Sequence, residues 1–330
     1  MNPAATSTSA RAPATVGNLG VGFDLLGLAL EGPHDSVTVM RAPRGTLILD
    51  AVRGEGASEL PRDPDRNTLM WALRALLQET AAPTGLRAEL DKGIPLNAGM
   101  GGSAASAVAG LVAANALLDE PLDATQLVRL AAEAEVAACG SAQADNAAPS
   151  LLGGLVLAPM QSLRGGEAPV RLSLPVGWRC VLVHPDCSIA TRDARRVLDD
   201  PFPLTEVTTQ QAHLACFVAA CLAGDADRVR NHLRDVLVEP RRAPLIPGFQ
   251  AVRTAALGAG ALAFGISGSG PSLFALAEAE AARAVSDAMR TAFARDDLDS
   301  RAWISRVDAQ GAKLGAKLGA TLGAGFTTRD

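Results

Sequence analysis

The 330 residues carry a formal charge of −5, so no basic footprint for a nucleic-acid backbone is present and an anionic ligand has to be gripped locally. The five cysteines, Cys139, Cys180, Cys187, Cys216 and Cys221, form no CxxC pair and have no histidine at zinc-ligand spacing, which argues against a disulfide framework or zinc centre and fits free thiols in a reducing cytosol. The length suits two domains, and residues 1–10 show neither the charged start nor the apolar run of a signal peptide.

Residues 11–24 begin as a short strand and then turn on Gly17, Gly20 and Gly22, with Asn18 and Asp24 as polar groups in an apolar setting. Each either satisfies turn backbone or faces a ligand. Residues 36–40 and 46–50 alternate as two strands joined by the Ala-Pro-Arg-Gly turn at 42–45. Asp63-Pro64-Asp65-Arg66-Asn67 caps a helix over 68–79, whose Leu69, Ala72, Leu73, Leu76 and Leu77 share one face. A strand at 86–90 leads through Lys92 to the most informative stretch, Pro95-Leu96-Asn97-Ala98-Gly99-Met100-Gly101-Gly102-Ser103-Ala104-Ala105-Ser106, which runs into the apolar segment 107–118. Glycines let backbone approach a ligand, and first-turn N–H groups lack internal partners, so a loop of this kind entering a helix can hold a nucleotide phosphate. A serine-capped glycine turn before a buried helix is the other reading. The stretch alone does not separate them.

A second helix is predicted from Asp123 as N-cap to Ala138; its Glu133 and Glu135 are two apart, so only one can face the central loop. Residues 140–149 form a polar loop with Gln143, Asp145 and Asn146, and 151–157 reads as a strand. A domain boundary falls near 159–168, dividing the chain at about residue 160. Beyond it come a buried strand at 178–184, an Arg-bearing segment at 191–198, helices at 208–223 and 227–238, and a proline-rich break at 239–249. A helix at 249–257, a strand at 261–266, a second glycine loop at 267–272, a strand at 273–277, a helix at 281–295 and a strand at 301–307 give a βαβ-type alternation up to about 310. Residues 311–330 repeat glycine every few positions and are expected to be a mobile low-complexity extension. The uncharged windows 94–118 and 254–277 are too interrupted by Gly, Ser and Pro to span a membrane. No GxxxxGK[ST] and no complete GxGxxG occurs, which excludes a Walker-A protein and counts against a dinucleotide-dependent dehydrogenase.

Three segments in order, 12–24, 95–105 and 265–272, resemble the N-terminal, phosphate-loop and C-terminal glycine motifs of the GHMP kinases, the superfamily named for galactokinase, homoserine kinase, mevalonate kinase and phosphomevalonate kinase. Asn18 to Asp24, Asp145-Asn146 with the following Ala-Ala-Pro, and Glu239-Pro240-Arg241-Arg242 are similar to the homoserine kinase branch in particular. The resemblance implies a two-domain α+β fold, with a first domain similar to the second domain of ribosomal protein S5 and a ferredoxin-like second domain. It implies ATP and Mg²⁺ as cofactors, L-homoserine as substrate and a homodimer. Residue by residue, Ser103 and Glu135 match the magnesium ligands, Asn67 and Lys92 match positions near the adenine, and 95–105 match the phosphate cradle. Asn18, Asp24, Gln143, Asn146, Arg195, Arg242 and Gly268 match the substrate pocket, and Asp145 either accepts the hydroxyl proton or only orients the group. Gly102 stands where the family usually has serine and Gln143 where homoserine kinases commonly carry histidine. Another GHMP small-molecule kinase and a catalytically silent amino-acid sensor are the alternative expectations.

Overall fold

The structure, a computed structural model, describes residues 6–54 and 56–315. Its first unit contains β1 (Ser7–Gly17), β2 (Leu26–Ala42), β3 (Leu47–Gly54), α1 (Thr68–Thr80), β4 (Gly85–Lys92), α2 (Gly102–Asn115), α3 (Ala124–Ala134), α4 (Val136–Cys139), α5 (Ala147–Leu152), β5 (Leu155–Leu157), α6 (Met160–Arg164) and β6 (Val170–Leu172). Helix α2 is buried from Ala104 to Asn115, which is why its sequence is apolar on every side rather than on one stripe. Its alanines and Gly110 let it lie between the strands β1 and β2 and the helices α1, α3 and α5.

The expected helix 68–79 is α1, with Asn67 as its N-cap accepting from Met70 N. The strands expected at 36–40 and 46–50 are present in β2 and β3 but are not neighbours. β4 lies between them, antiparallel to β2 and parallel to β3. The helix expected from Asp123 to Ala138 starts with a capping box between Asp123 and Gln126, then breaks at Glu135. The polar loop at 140–149 runs instead into α5, and the strand expected at 151–157 shortens to β5.

The second unit comprises β7 (Trp178–Pro185), α7 (Thr191–Arg196), α8 (Leu204–Ala223), α9 (Ala226–His232), α10 (Val238–Arg242), α11 (Phe249–Gly258), β8 (Ala263–Ile266), β9 (Leu273–Glu278), α12 (Ala282–Ala294) and β10 (Ser300–Ser305). Its strands run β10-β7-β9-β8 and every pairing is antiparallel, so in chain order the sheet reads 4-1-3-2, a ferredoxin-like arrangement. Along β7, Val181 and Val183 face the core formed with α11 and α12, while Cys180 and Leu182 face the core shared with the first unit. Burial on both faces explains the unbroken Cys-Val-Leu-Val run.

After β10 the chain returns to the first unit. Glu31 N donates to Arg306 O at 3.1 Å, Gly154 N to Asp308 O at 2.7 Å, and β11 (Lys313–Leu314) pairs antiparallel with β1. Residues 313–314 are therefore strand rather than loose tail, and the rest of the glycine repeat, 316–330, lies outside the described residues. Among the described residues no helix is long and apolar enough to cross a membrane.

Candidate active site

A cleft of about 420 Å³ opens between the two units. At its centre is the N-terminus of α2. Ala105 N donates to Gly101 O at 2.9 Å and closes the first turn, so the N–H groups of Gly102, Ser103 and Ala104 precede the helical ladder. Gly101 itself has φ 66°, a left-handed N-cap that a larger residue would strain. The residues Pro95, Leu96, Asn97, Ala98, Gly99, Met100, Gly101, Gly102 and Ser103 line the cleft. Ala104 and Ala105, which the resemblance includes in the cradle, turn their methyl groups into the core, so only their backbone could face a ligand. The loop is braced from the second unit: Ser267 Oγ donates to Gly99 O at 2.7 Å, and a Cβ added at Gly99 would lie 2.4 Å from Ser267 O.

Beside this helix end, Ser103 Oγ donates to Glu135 Oε2 at 3.0 Å. Glu135 continues the buried stripe of α3 that runs through Val128, Ala131 and Ala132, whereas Glu133 lies on the outer face and pairs with Arg129 at 3.1 Å. The distance between the two glutamates left both open; the buried face of α3 selects Glu135. Its carboxyl is pushed up to about 7, first by burial and then by the charge of Asp145, with the Ser103 hydrogen bond opposing. A half-buried hydroxyl and a buried carboxylate beside an open helix N-terminus are the kind of hard oxygen donors that suit Mg²⁺.

Asp145 and Asn146 precede α5. Asn146 Oδ1 accepts from Thr15 Oγ1 at 2.8 Å and its Nδ2 donates to Asp145 Oδ2 at 3.1 Å, fixing the pair against β1. Burial pushes Asp145 up to about 7, with the charge of Asp24 adding to it and Arg195 pulling it down. Farther along the cleft, Arg195 grips Asp24 through both terminal nitrogens, at 3.1 and 3.2 Å. Arg242 is buried; its Nε donates to Ala194 O and its Nη1 to Gly268 O, both at 3.0 Å. Burial, then the charge of Arg195, lowers its pKa to about 10. Asn18 Nδ2 donates to the same Gly268 carbonyl at 2.9 Å while its Oδ1 accepts from Asp24 N at 2.9 Å. Gln143 completes the wall.

Asn67 and Lys92 line the other end of the cleft, with their polar atoms committed to the scaffold. Asn67 Nδ2 donates to Pro61 O at 2.7 Å while its Oδ1 caps α1. Lys92 Nζ donates to Asp35, to Gly102 O at 3.1 Å and to Ser106 Oγ at 3.2 Å, which puts the ammonium against the start of α2. Asp35, fully buried, also accepts from Gly93 N and Ile94 N at 3.1 Å each. Sequence reading missed Asp35, and Phe23, whose ring lies 5.8 Å from the Arg195 guanidinium and 5.2 Å from that of Arg242. The adjacency of Phe23 to Asp24 was the available signal. Asp35 had none.

An open helix N-terminus, a serine–glutamate oxygen pair and a charged pocket share one cleft between an α+β unit and a ferredoxin-like unit, the arrangement expected of a GHMP-type kinase. Models of the GHMP kinases N terminal domain and the GHMP kinases C terminal match residues 67–154 and 217–295. Homoserine kinase of Xylella fastidiosa (strain 9a5c) is 48% identical over 313 residues, covering 94% of this chain and 95% of that protein. Homoserine kinase of Xanthomonas campestris pv. campestris (strain B100) is 48% identical over 304 residues, 92% of each. The crystal structure of homoserine kinase from Cytophaga hutchinsonii ATCC 33406 superposes with a TM-score of 0.88 at 37% identity, covering 95% of this chain and 99% of that one. The chain belongs to the homoserine kinase family of the GHMP kinases.

Proposed function

We propose that the protein transfers the γ-phosphoryl group of ATP, with Mg²⁺, to the side-chain hydroxyl of L-homoserine, giving O-phospho-L-homoserine and ADP in cytoplasmic threonine biosynthesis. The observation that carries this reading is the Ser103–Glu135 pair at the start of α2, lying across one cleft from Asp24, Arg195 and Arg242. Backbone N–H groups at 102–104 hold the phosphates. Ser103 and Glu135 would hold Mg²⁺, which neutralises charge on the β- and γ-phosphate oxygens when bound. Arg195 and Arg242 take the α-carboxylate and Asp24 the α-ammonium, so the amino acid enters by exchanging with the Arg195–Asp24 ion pair. Asp145 orients the reacting hydroxyl and receives its proton, helped by Asn146. Phosphoryl transfer depends on such positioning more than on a strong base.

An assay of the purified chain with ATP, Mg²⁺ and homoserine, mevalonate, galactose or shikimate tests the proposal. Turnover on homoserine supports it; turnover on another acceptor with none on homoserine overturns it, and amino-acid binding without ADP formation favours the silent sensor. The homodimer implied by the family resemblance is tested by sedimentation of the same preparation.

A further inference from the structure

Helix α8 has much of its surface exposed, yet Gln210 is buried, in the same stripe as Phe217, Ala220 and Cys221. An apolar side chain would serve that stripe, because a buried amide costs free energy unless both of its ends are paired. Here both are. Gln210 Nε2 donates to Val21 O at 2.8 Å, and Gln210 Oε1 accepts from Val236 N at 2.9 Å.

The two segments joined in this way belong to different units, and each presents one side of the charged pocket. Val21 sits in the turn that runs from Asn18 to Asp24, where Asn18, Leu19 and Asp24 all have positive φ, at 66°, 42° and 56°. Left-handed backbone at three non-glycine residues persists only where the surroundings hold it. Val236 sits in the turn where Asp235 accepts from Leu237 N, Val238 N and Glu239 N at 2.9, 2.8 and 2.9 Å, which starts α10 and projects Arg242 from its last turn. A ligand carrying an ammonium and a carboxylate on one carbon needs Asp24 and Arg242 at a fixed separation, and a bridge spanning their two supporting turns supplies it.

We propose that Gln210 is a positioning residue of the amino-acid pocket: its amide ties the turn bearing Asp24 to the turn that launches Arg242, and so sets the spacing of the two charges. The proposal rests on the reading of that pocket as the homoserine site. The phosphate loop is braced separately, by Ser267 on Gly99 and by Lys92 on Gly102, so the nucleotide side does not depend on Gln210.

Steady-state kinetics of the full chain, with homoserine and ATP varied in turn, test it on wild type, Gln210→Met and Gln210→Glu. Absence of homoserine turnover in the wild type removes the functional reading itself, independently of the variants. Given turnover, Gln210→Met, similar in size but without either hydrogen-bonding group, should raise the homoserine KM tenfold or more while the ATP KM stays within twofold and kcat within threefold. Gln210→Glu keeps an acceptor for Val236 but faces Val21 O without a donor, and should raise the homoserine KM at least fivefold with the same ATP independence; it carries the test alone should the methionine variant not fold. Unchanged KM values, equal rises for both substrates, a fall confined to kcat, or failure of both variants to fold overturns the proposal.

Discussion

Glu133 and Glu135 are chemically identical and two positions apart, and the opposite helix faces on which they fall give them separate work. Glu135→Gln should lower Mg²⁺-dependent turnover by at least a hundredfold, whereas Glu133→Gln, losing a half-exposed pair with Arg129, should cost about 0.5 kcal/mol in stability and leave kcat unchanged. Equal losses in the same assay would mean the wrong glutamate was assigned. Asp145 offers a pH test. Its folded value of about 7 lies above the ordinary 3.8, so the native state keeps a proton that the unfolded chain has already released. Stability should therefore fall as pH climbs from about 4 to about 7 and level off above that. Asp145→Asn removes this penalty. In thermal unfolding its advantage over wild type should be small at pH 4 and reach roughly 4 kcal/mol by pH 7, with homoserine turnover lost. Residues with a motif around them, such as Ser103 and Asp24, were legible in the sequence. Asp35 and Gln210 were not, because each stands in a polar run, at 31–36 and 208–211, where nothing marks out the one side chain that is buried; only the groups that converge on it from distant segments give it a role.

The loops at 99 and 268 depend on the absence of side chains as much as on what they contain. Gly99 and Gly45 both have positive φ, 70° and 84°, but a Cβ at Gly45 meets nothing within 4 Å, whereas one at Gly99 meets Ser267 O at 2.4 Å. Gly45→Ala should cost about 1 kcal/mol from backbone strain alone and leave kinetics untouched. Gly99→Ala has to push the two loops apart, and is expected to raise the ATP KM at least tenfold; chemical denaturation together with nucleotide titration separates the two effects. Helices with strong periodicity, α1 and α12, were readable from the chain, as were α2 and β7 from their unbroken apolar runs. Which strand lies beside which was not: alternation in β2 and β3 reveals their buried faces but carries no trace of β4 inserted between them. Helix α5 escaped notice because six residues after a polar turn are too few to show a period.

At the scale of the whole molecule, the site belongs to neither unit alone, since Ser103, Glu135 and Asp24 come from one and Arg195 and Arg242 from the other. A ligand seated there binds only the assembled state. Mg-ATP at a hundred times its dissociation constant should add about 2.7 kcal/mol to stability, seen as a rise in Tm of a few degrees, and Gly99→Ala should blunt the rise at the same concentration. The overall architecture followed from the resemblance of three separated motifs; local patterns did not reveal the 4-1-3-2 order, which depends on long-range pairing. The return of residues 306–315 to the first sheet has a consequence for biosynthesis. β1 has an open edge until β11 docks on it, and Gly154 and Glu31 await carbonyl partners from Asp308 and Arg306. On the ribosome, the half of the enzyme translated earliest thus remains unfinished until almost the whole described chain has left the exit tunnel, with the ferredoxin-like half folding as an insert inside it.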